Sequence, residues 1–414
     1  MRYPIKQLGE LVEGISAGRS FGASNAPAAE GQWGIIKVSA MTRGEFKPDQ
    51  NKAVPAEQVD PRFEIREGDL LVSRANTAEY VGASVLVGPV RPKLLLSDKS
   101  LRLSLKSGID SRWMWYVLQS PPVRRQITEL ATGTKDSMRN ISQLSLRQIS
   151  IPIPPLDEQR RIVDLLEDHL SRLDAADHGL AAARRRLGNL ERSSLEKHFG
   201  TGASVPLDEL IADISAGKSF GAANRPAGEE EWGIIKVSAM TWGEFRAGEN
   251  KAVAGGQVDL RYEVKSGDLL VSRANTADYV GASVLVRDVR PKLLLSDKSL
   301  RITPKPGVNP EWLWRALQAP SARSQIRALA TGTKDSMRNI SQSALRKVEL
   351  PLTDQAGQAS ALRSFAVAAT ASERLRSQIE RSAARGQQLR RSLLAAAFSG
   401  RLTATSDIED LVSP

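Results

Sequence analysis

The chain has 414 residues, with 58 Lys and Arg against 47 Asp and Glu, a net charge of +11, and no cysteine. This length allows two or three domains that each bury a core, and the missing cysteines exclude a disulfide framework and a thiolate metal site. The basic balance suggests a polyanionic partner. Without an apolar run of membrane-spanning length or a signal-peptide core, we expect a cytoplasmic protein.

An internal repeat organises the chain, because a shift of 199 residues lays the sequence on itself without a gap. Identity over 15–146 is about 70%, and such self-similarity constrains the fold before any local pattern does. WGIIKVSAMT at 33–42, RPKLLLSDKSLR at 91–102 and ATGTKDSMRNISQ at 131–143 recur unchanged. The two copies must therefore share one fold.

The first copy reads as a mixed α/β globule. Apolar and β-branched runs bounded by Gly, Pro, Asp or Asn predict strands over 34–41, 69–75, 83–90 and 101–106. Residues 111–120 predict a helix that ends at Pro121, and a second short helix follows over 123–131. We expect TGTKDSMRN (132–140) to form a loop, which leads through a turn at Ser142 to a final strand.

Each copy is followed by a predicted long helix. The first begins after Pro154-Pro155, with acidic residues in its first turn, and closes at Gly200 as a C-terminal cap. It would span roughly 60 Å at the α-helical rise. The second runs over 355–398. Heptad spacing of apolar residues predicts a helix–helix seam, formed by Leu166, Leu173, Leu180, Leu187, Leu190, Phe365, Leu375, Ile379, Leu389 and Leu393.

The predicted organisation is α+β, with two tandem domains joined by two long antiparallel coiled-coil helices and related by an approximate two-fold. The predicted boundaries are 1–153 for the first domain, 154–200 for the first helix, 201–352 for the second domain, 353–400 for the second helix and 401–414 for a tail.

Sequence motifs of catalysis are scarce. GKS at 217–219 ends like a phosphate-binding loop, but Ala212 stands where that loop needs glycine. Asp69, Asp98 and Asp136 recur in the second copy, and their turn-like surroundings favour loop capping over a nuclease centre. The three histidines lie on the first long helix and cannot converge on a metal. We therefore predict a non-catalytic chain that binds no metal and no cofactor itself.

Residues suited to nucleic-acid contact are more numerous. Arg and Asn can bond guanine and adenine bidentately, and Lys, Ser and Thr bind phosphate oxygens; solvated turns use the same residue types, so the alternative for each is a surface role. The predicted contacts in the first copy are Arg19, Ser20, Ser73, Arg74, Asn76, Thr77, Lys99, Thr134, Lys135, Ser137, Arg139 and Asn140. Those in the second copy are Lys218, Ser219, Ser272, Arg273, Asn275, Thr276, Lys298, Thr333, Lys334, Ser336, Arg338 and Asn339.

The chain resembles the specificity subunit of type I restriction–modification enzymes over essentially its whole length. The resemblance lies in the GT-rich loop, the NIS that follows it, IPIPPLDEQRRIV (151–163) before a long helix, and RRSLLAAAFSGRL at 390–402. It implies two target-recognition domains and two spacer helices that set the gap of a bipartite DNA target. It also implies as partners double-stranded DNA, two methylating subunits that carry S-adenosylmethionine and modify adenine N6, and motor–nuclease restriction subunits.

Two features depart from the family pattern. The second spacer begins LPLTDQAGQ and lacks the Pro-Pro and Glu-Gln of the first. The recognition domains are near-copies, so we expect half-sites that are inverted repeats, as symmetric DNA-binding dimers read. Differences that could break this symmetry are Arg43 against Trp242, Ala26 against Arg225, and 47–50 against 246–249.

Two alternatives remain open from the sequence. The nearer is a specificity subunit of a type II or modification-only system. The more distant is a coiled-coil scaffold that binds no DNA.

Overall fold

The structure is a computed structural model that describes residues 3–42, 44–136, 138–254, 256, 258–335 and 337–403. Its contacts divide the chain into two compact units, of which one comprises the residues up to Leu180 with those from Arg381 onward, and the other Ala181–Glu380. Each unit contains one copy of the domain together with parts of both long helices. The five segments predicted from the sequence follow a different division, and their boundaries stay predictions.

The first copy alternates short strands and helices as the sequence analysis predicted. In chain order its elements are β1 (Ile5–Gln7), α1 (Leu8–Leu11), β2 (Val12–Ala17), β3 (Gly34–Ile36), β4 (Asn51–Ala53), β5 (Leu70–Ser73), β6 (Ala75–Asn76), β7 (Ser84–Leu86), β8 (Leu94–Leu95), β9 (Ser100–Leu105), α2 (Ser111–Gln119), α3 (Pro121–Leu130), β10 (Thr132–Lys135), β11 (Met138–Asn140), α4 (Gln143–Arg147), β12 (Ser150–Pro152) and α5 (Leu156–Phe199).

The main sheet of this copy is antiparallel with strand order β2-β9-β5-β7. Successive residues of β5 face opposite sides of the sheet. Leu70 and Val72 pack into one core with Trp113, whereas Leu71 packs into a second core with Ile36. Both faces are covered, and this explains why the strand reads as an unbroken apolar run.

Two sequence predictions for this copy were wrong in detail. The strand predicted over 34–41 ends at Ile36, and Val38–Met41 form a 3-10 helix. The predicted loop 132–140 is a β-hairpin of β10 and β11. Its strands carry exposed polar side chains, so the apolar alternation that marks a half-buried strand is absent.

The second copy repeats the same order and the same sheets. Its elements are β13 (Ser204–Pro206), α6 (Leu207–Leu210), β14 (Ile211–Ala216), β15 (Gly233–Ile235), β16 (Asn250–Ala252), β17 (Leu269–Ser272), β18 (Ala274–Asn275), β19 (Ser283–Leu285), β20 (Leu293–Leu294), β21 (Ser299–Pro304), α7 (Pro310–Gln318), α8 (Pro320–Leu329), β22 (Thr331–Lys334), β23 (Met337–Asn339), α9 (Gln342–Leu345), β24 (Glu349–Pro351) and α10 (Gln355–Ser399). The predicted fold class is confirmed.

The long helices α5 and α10 end within a residue of their predicted limits. The predicted cap is different in kind: the amide of Gly200 donates to the carbonyl of Glu196 at 2.8 Å, and its φ is not left-handed. Gly400, after α10, does adopt the left-handed conformation with φ 78°. The left-handed glycine cap therefore closes α10 and not α5.

The predicted seam between the long helices is only partly correct. Leu166 and Leu187 are buried, and the half-buried members of the set are Leu173, Leu180, Phe365, Ile379, Leu389 and Leu393. Leu190 and Leu375 are 54% and 45% exposed, so their assignment to the seam was wrong. A straight helix drifts about 20° per heptad from a strict seven-residue repeat, and this drift turns such positions toward solvent.

Ion pairs join the two helices in an antiparallel register. In the first unit Arg390 contacts Asp174 at 2.5 Å and Asp177 at 3.6 Å. In the second unit Arg376 contacts Glu191 at 2.5 Å. These positions correspond through the repeat, because 177 and 191 become 376 and 390 after the shift of 199. Across the two copies, the acidic partners of these pairs lie on α5 and the basic partners on α10.

The start of α5 is bound to the first domain by a buried glutamine. Gln159 is 1% exposed; its side-chain carbonyl accepts from the amide of Asp110, and its NH2 donates to the carbonyls of Gly108 and Pro154. Gln358 makes the same set of bonds in the second unit. The second spacer therefore retains this glutamine although it lacks the Glu-Gln pair of the first.

The glutamate of the same motif differs between the copies. Glu158 accepts hydrogen bonds from the hydroxyls of Tyr3 at 2.9 Å and Thr403 at 2.5 Å. Gly357 occupies the corresponding position of the second spacer.

No helix within the described residues is long and apolar enough to cross a membrane.

Candidate nucleic-acid interface

A small sheet brings together two predicted contact segments that are about sixty residues apart in sequence. β11 lies between β10 and β6, with Arg139 opposite Asn76 and Asn140 opposite Ala75. The amide of Ile141 donates to the carbonyl of Arg74 at 2.9 Å. The 74–77 segment and the 132–140 hairpin therefore form one surface.

Two further segments join this surface through the backbone. The amide of Arg74 donates to the carbonyl of Lys99 at 2.8 Å, and the amide of Arg19 donates to the carbonyl of Leu96 at 3.2 Å. Gly18 is required at this crossing, since a Cβ there would stand 2.3 Å from the carbonyl oxygens of Leu96 and Ser97. Residues predicted from four separate stretches thus converge.

Most of the predicted contacts are exposed on this surface. In the first copy these are Arg19, Ser20, Arg74, Thr77, Lys99, Thr134, Lys135 and Asn140, and in the second copy Lys218, Ser219, Arg273, Thr276, Lys298, Thr333, Lys334 and Asn339. Arg74, Lys99 and Lys135 form no salt bridge within the described ranges, which leaves three cations without a carboxylate partner there. Ser137 and Ser336 lie outside the described residues.

Ser73 and Ser272 do not belong to the exposed set, because both have 0% exposed surface. Each lies at the end of a buried strand, where its hydroxyl accepts from the side-chain amide of the asparagine three residues later at 3.4 Å. That asparagine, Asn76 or Asn275, is half-buried and also accepts from the next backbone amide at 2.9 Å. The serines therefore orient the asparagines.

Arg139 and Arg338 are half-buried and brace their own hairpins. The guanidinium of Arg139 donates to the carbonyls of Ala131 at 2.6 Å and Gly133 at 3.2 Å. Arg338 repeats both bonds in the second copy. These bonds hold each guanidinium against the backbone of its own hairpin, so the structure gives the two arginines a role in hairpin geometry.

The repeat itself reveals where change is restricted. Residues 131–143, which include the exposed hairpin, are identical in the two copies, whereas α2 and α3 differ at many positions from α7 and α8, including the buried Val117 and Val123. Exposed positions without a role usually tolerate substitution better than a core does. An unchanged exposed hairpin therefore indicates a binding role.

Two residues of the second copy that could break the symmetry, Arg225 and Trp242, have contacts in the structure. Arg225 contacts both oxygens of Glu231 at 2.6 and 2.7 Å, and this hydrogen bonding lowers the pKa of Glu231 to about 2. The pair is thus intact at neutral pH. Trp242 is 58% exposed, lies 5.2 Å from the guanidinium of Arg246 and 6.4 Å from the ring of Tyr279. Arg43 lies outside the described residues.

One pair of the recurring aspartates, Asp69 and Asp268, has structural partners. Asp69 contacts Arg102 at 2.9 Å and accepts from the amide of Arg66, and Asp268 contacts Arg301 in the same way. These bonds fit the capping role that the sequence favoured. Across the described ranges, no group of three or more His, Cys, Asp or Glu side chains could hold a metal ion.

The class of protein follows from a family model. Residues 3–180 match the type I restriction modification DNA specificity domain. The second copy lies outside these residues and repeats most of the sequence of the first.

Individual relatives agree with this class. The specificity subunit of the EcoEI type I restriction enzyme of Escherichia coli is 31% identical over 182 residues, which is 43% of this chain and 31% of that protein. The EcoKI specificity subunit of Escherichia coli strain K12 is 23% identical over 404 residues, covering 92% of this chain and 85% of that protein. The resemblance to type I specificity subunits is confirmed.

Solved structures support the fold. A chain from a structure on complex assembly and conformational transition of the type I R-M system matches with a TM-score of 0.72 at 18% identity, covering 97% of this chain and 100% of that chain. The HsdS subunit from Thermoanaerobacter tengcongensis matches with a TM-score of 0.55 at 19% identity, covering 96% and 97%.

Proposed function

We propose that this chain is the DNA sequence-recognition subunit of a type I restriction–modification enzyme and carries out no catalysis itself. The observation that supports this most strongly is the exposed basic surface of each domain, in which cations, hydroxyls and amides from four stretches converge around an unchanged hairpin. Cations there would neutralise phosphates, and the amides would read base edges.

The target is bipartite and gapped, with one half-site for each domain. Domains whose contact segments are identical except for Arg19 against Lys218 should prefer closely similar half-sites, so the halves are inverted repeats of one another. Arg225 is held by Glu231 and is a weak candidate for breaking the symmetry. Trp242, which is exposed beside the 276–279 turn, is the stronger one.

The partners are double-stranded DNA, two methylating subunits and restriction subunits that supply the motor and nuclease. The methylating subunits carry S-adenosylmethionine and modify adenine N6, and the paired helices α5 and α10 hold the gap between half-sites. The assembly acts in the cytoplasm. A type II or modification-only system would use the same recognition chain with different partners.

A map of methylated adenines in cells that express this chain with its methylating subunit tests the proposal. We expect one gapped motif whose halves are reverse complements. A gapped but asymmetric motif would retain the function and refute the symmetry. The absence of any motif would favour the scaffold alternative.

Binding of the purified complex separates DNA recognition from a scaffold role. A DNA reader loses affinity linearly in log–log salt plots and prefers the mapped duplex over a scrambled one by roughly a thousandfold or more. Salt-independent binding, or equal affinity for both duplexes, would contradict the proposal.

A further inference from the structure

Two methionines occupy an unusual place at the ends of the recognition hairpins. Met138 begins β11 and is 51% exposed, and Met337 begins β23 and is 61% exposed. Methionine is among the residues most often buried, so its exposure at both equivalent positions calls for an explanation. Neither residue was among the contacts predicted from the sequence.

The repeat provides an internal control for this exposure. Some other exposed apolar side chains are replaced in the opposite copy, as Leu144 is by Ser343 and Leu260 by Pro61, and the counterpart of exposed Leu190, Leu389, is half-buried. Within the described residues, Met138 and Met337 are the one pair of identical large apolar side chains exposed in both copies. Exposure has therefore been retained at this position and lost at others.

Polar and cationic groups surround each methionine. Lys135 lies directly opposite Met138 in the hairpin, and Thr132 lies opposite Asn140. Directly opposite residues share a face of the sheet, and so do Met138 and Asn140, which are two apart on one strand. The thioether thus stands among an ammonium, an amide and a hydroxyl, and the second hairpin repeats these pairs.

A ligand that fits this face has an apolar group surrounded by negatively charged groups. The major groove of duplex DNA offers this combination, since phosphates line it and the C5-methyl group of thymine projects into it. An unbranched thioether adapts its shape to such a group better than a branched side chain does. The exposed cations Lys99 and Arg74 nearby favour DNA over an apolar protein surface.

We infer that Met138 and Met337 are specificity residues whose side chains contact thymine C5-methyl groups in the two half-sites. This inference rests on the proposed function and adds an apolar contact to its hydrogen-bonding residues. It explains why an exposed methionine is retained in both copies.

The test uses the full chain with its methylating subunit, the mapped target duplex, and the same duplex with half-site thymines replaced by uracil, which lacks the methyl group. We expect the wild-type complex to bind the uracil duplex roughly tenfold more weakly. The double variant Met138→Ala/Met337→Ala should bind the thymine duplex more weakly than wild type by a similar factor. It should no longer distinguish the thymine duplex from the uracil duplex.

Leu144→Ala is the matched control, because Leu144 is 70% exposed on α4 and lies outside the predicted contacts; it should behave as wild type. The inference is overturned if the double methionine variant binds both duplexes as wild type does, or if wild type ignores the methyl group. If wild type does not separate the mapped duplex from a scrambled one, the proposed function fails as well. Unchanged thermal melting of the double variant verifies its fold.

Discussion

Gln159 shows how one residue connects a helix to a domain. Its buried amide satisfies one backbone amide and two carbonyls, and Gln358 does so in the other unit. Buried backbone groups must be paired. The glutamine of the PPLDEQ stretch thus fixes the start of α5 to the first domain through hydrogen bonds.

Gln159→Ala should lower the free energy of unfolding by about 3 kcal/mol, because it leaves buried polar groups unpaired. Chemical denaturation monitored by tryptophan fluorescence measures this loss. Gln358→Ala should lose as much in the other unit, and Gln387→Ala, at an exposed position of α10, should lose nothing. An unchanged midpoint for Gln159→Ala would show that water or neighbouring groups replace the bonds.

At the residue scale, the sequence predicted the composition of the interface better than the role of its members. Arg74 and Lys135 are exposed as expected, but the neighbouring Ser73 and the nearby Arg139 have structural roles. Neighbouring residues at a strand end alternate between buried and exposed, as Ser73 and Arg74 do. A guanidinium can donate hydrogen bonds to backbone carbonyls as well as to bases, as Arg139 does to carbonyls. Residue type alone does not separate these cases.

At the element scale, the ion pairs of the long helices select which helix pairs with which. If α5 paired with a second α5 in the same register, Asp177 would take the place of Arg376 and Glu191 the place of Arg390. Asp174 and Asp177 would then lie opposite Glu191, and only acidic groups would meet. In the observed pairing each of these positions faces an arginine of α10. Like charges in contact disfavour the wrong pairing.

Separately produced 1–200 and 201–414 chains should therefore associate with each other, while 1–200 should not associate with itself. Glu191→Lys should reverse this preference, because the introduced ammonium would face Arg376 in the mixed pair but Asp174 and Asp177 in the self-pair. The expected shift in relative affinity is roughly tenfold, since exposed ion pairs contribute up to about 1 kcal/mol each.

Native mass spectrometry of the mixed chains measures the two populations. Asp168→Lys makes the same change of charge at an exposed position that pairs within its own helix, and it should leave the preference unaltered. If Glu191→Lys behaves like this control, apolar packing and not charge decides the pairing.

Long periodic elements were predicted accurately, and short polar ones were not. The limits of α5 and α10 follow from prolines and heptads, whereas the sequence pattern predicts a loop where β10 and β11 form a hairpin. Strand β11 of this hairpin also pairs with β6, about sixty residues earlier, and a single-sequence pattern does not contain such partners. The same limit explains the exposure of Leu190, since a heptad pattern does not include helix drift.

At the scale of the whole molecule, the repeat was the most informative feature. It required two domains of one fold before any strand was assigned, and it later identified the unchanged hairpin. It could not supply the chemistry of the target, because near-identical domains predict matching half-sites without indicating which bases these contain.

Removing one heptad from each long helix in register should shorten the gap between half-sites. Residues 188–194 and 371–377 contain the Glu191–Arg376 pair, so their joint deletion preserves the pairing elsewhere. At 1.5 Å per residue and 3.4 Å per base pair, the gap should shrink by about three base pairs with the half-sites unchanged.

Methylation mapping of the shortened variant reads the gap directly, and deletion of 188–194 alone serves as the control that breaks the register. An unchanged gap in the joint deletion would refute the idea that the helices set the distance.

The ion pairs of the long helices have a consequence for the gene. Its identical stretches invite unequal recombination, which would delete 199 codons and leave one hybrid domain followed by α10. If two such products paired through α10, Arg390 of one would lie opposite both Glu373 and Arg376 of the other. This contact would join opposite as well as like charges, whereas a contact between two α5 helices would join acidic groups only. The charge pattern thus permits the recombinant to assemble as a homodimer, and a single crossover could convert a near-symmetric reader into a fully symmetric one.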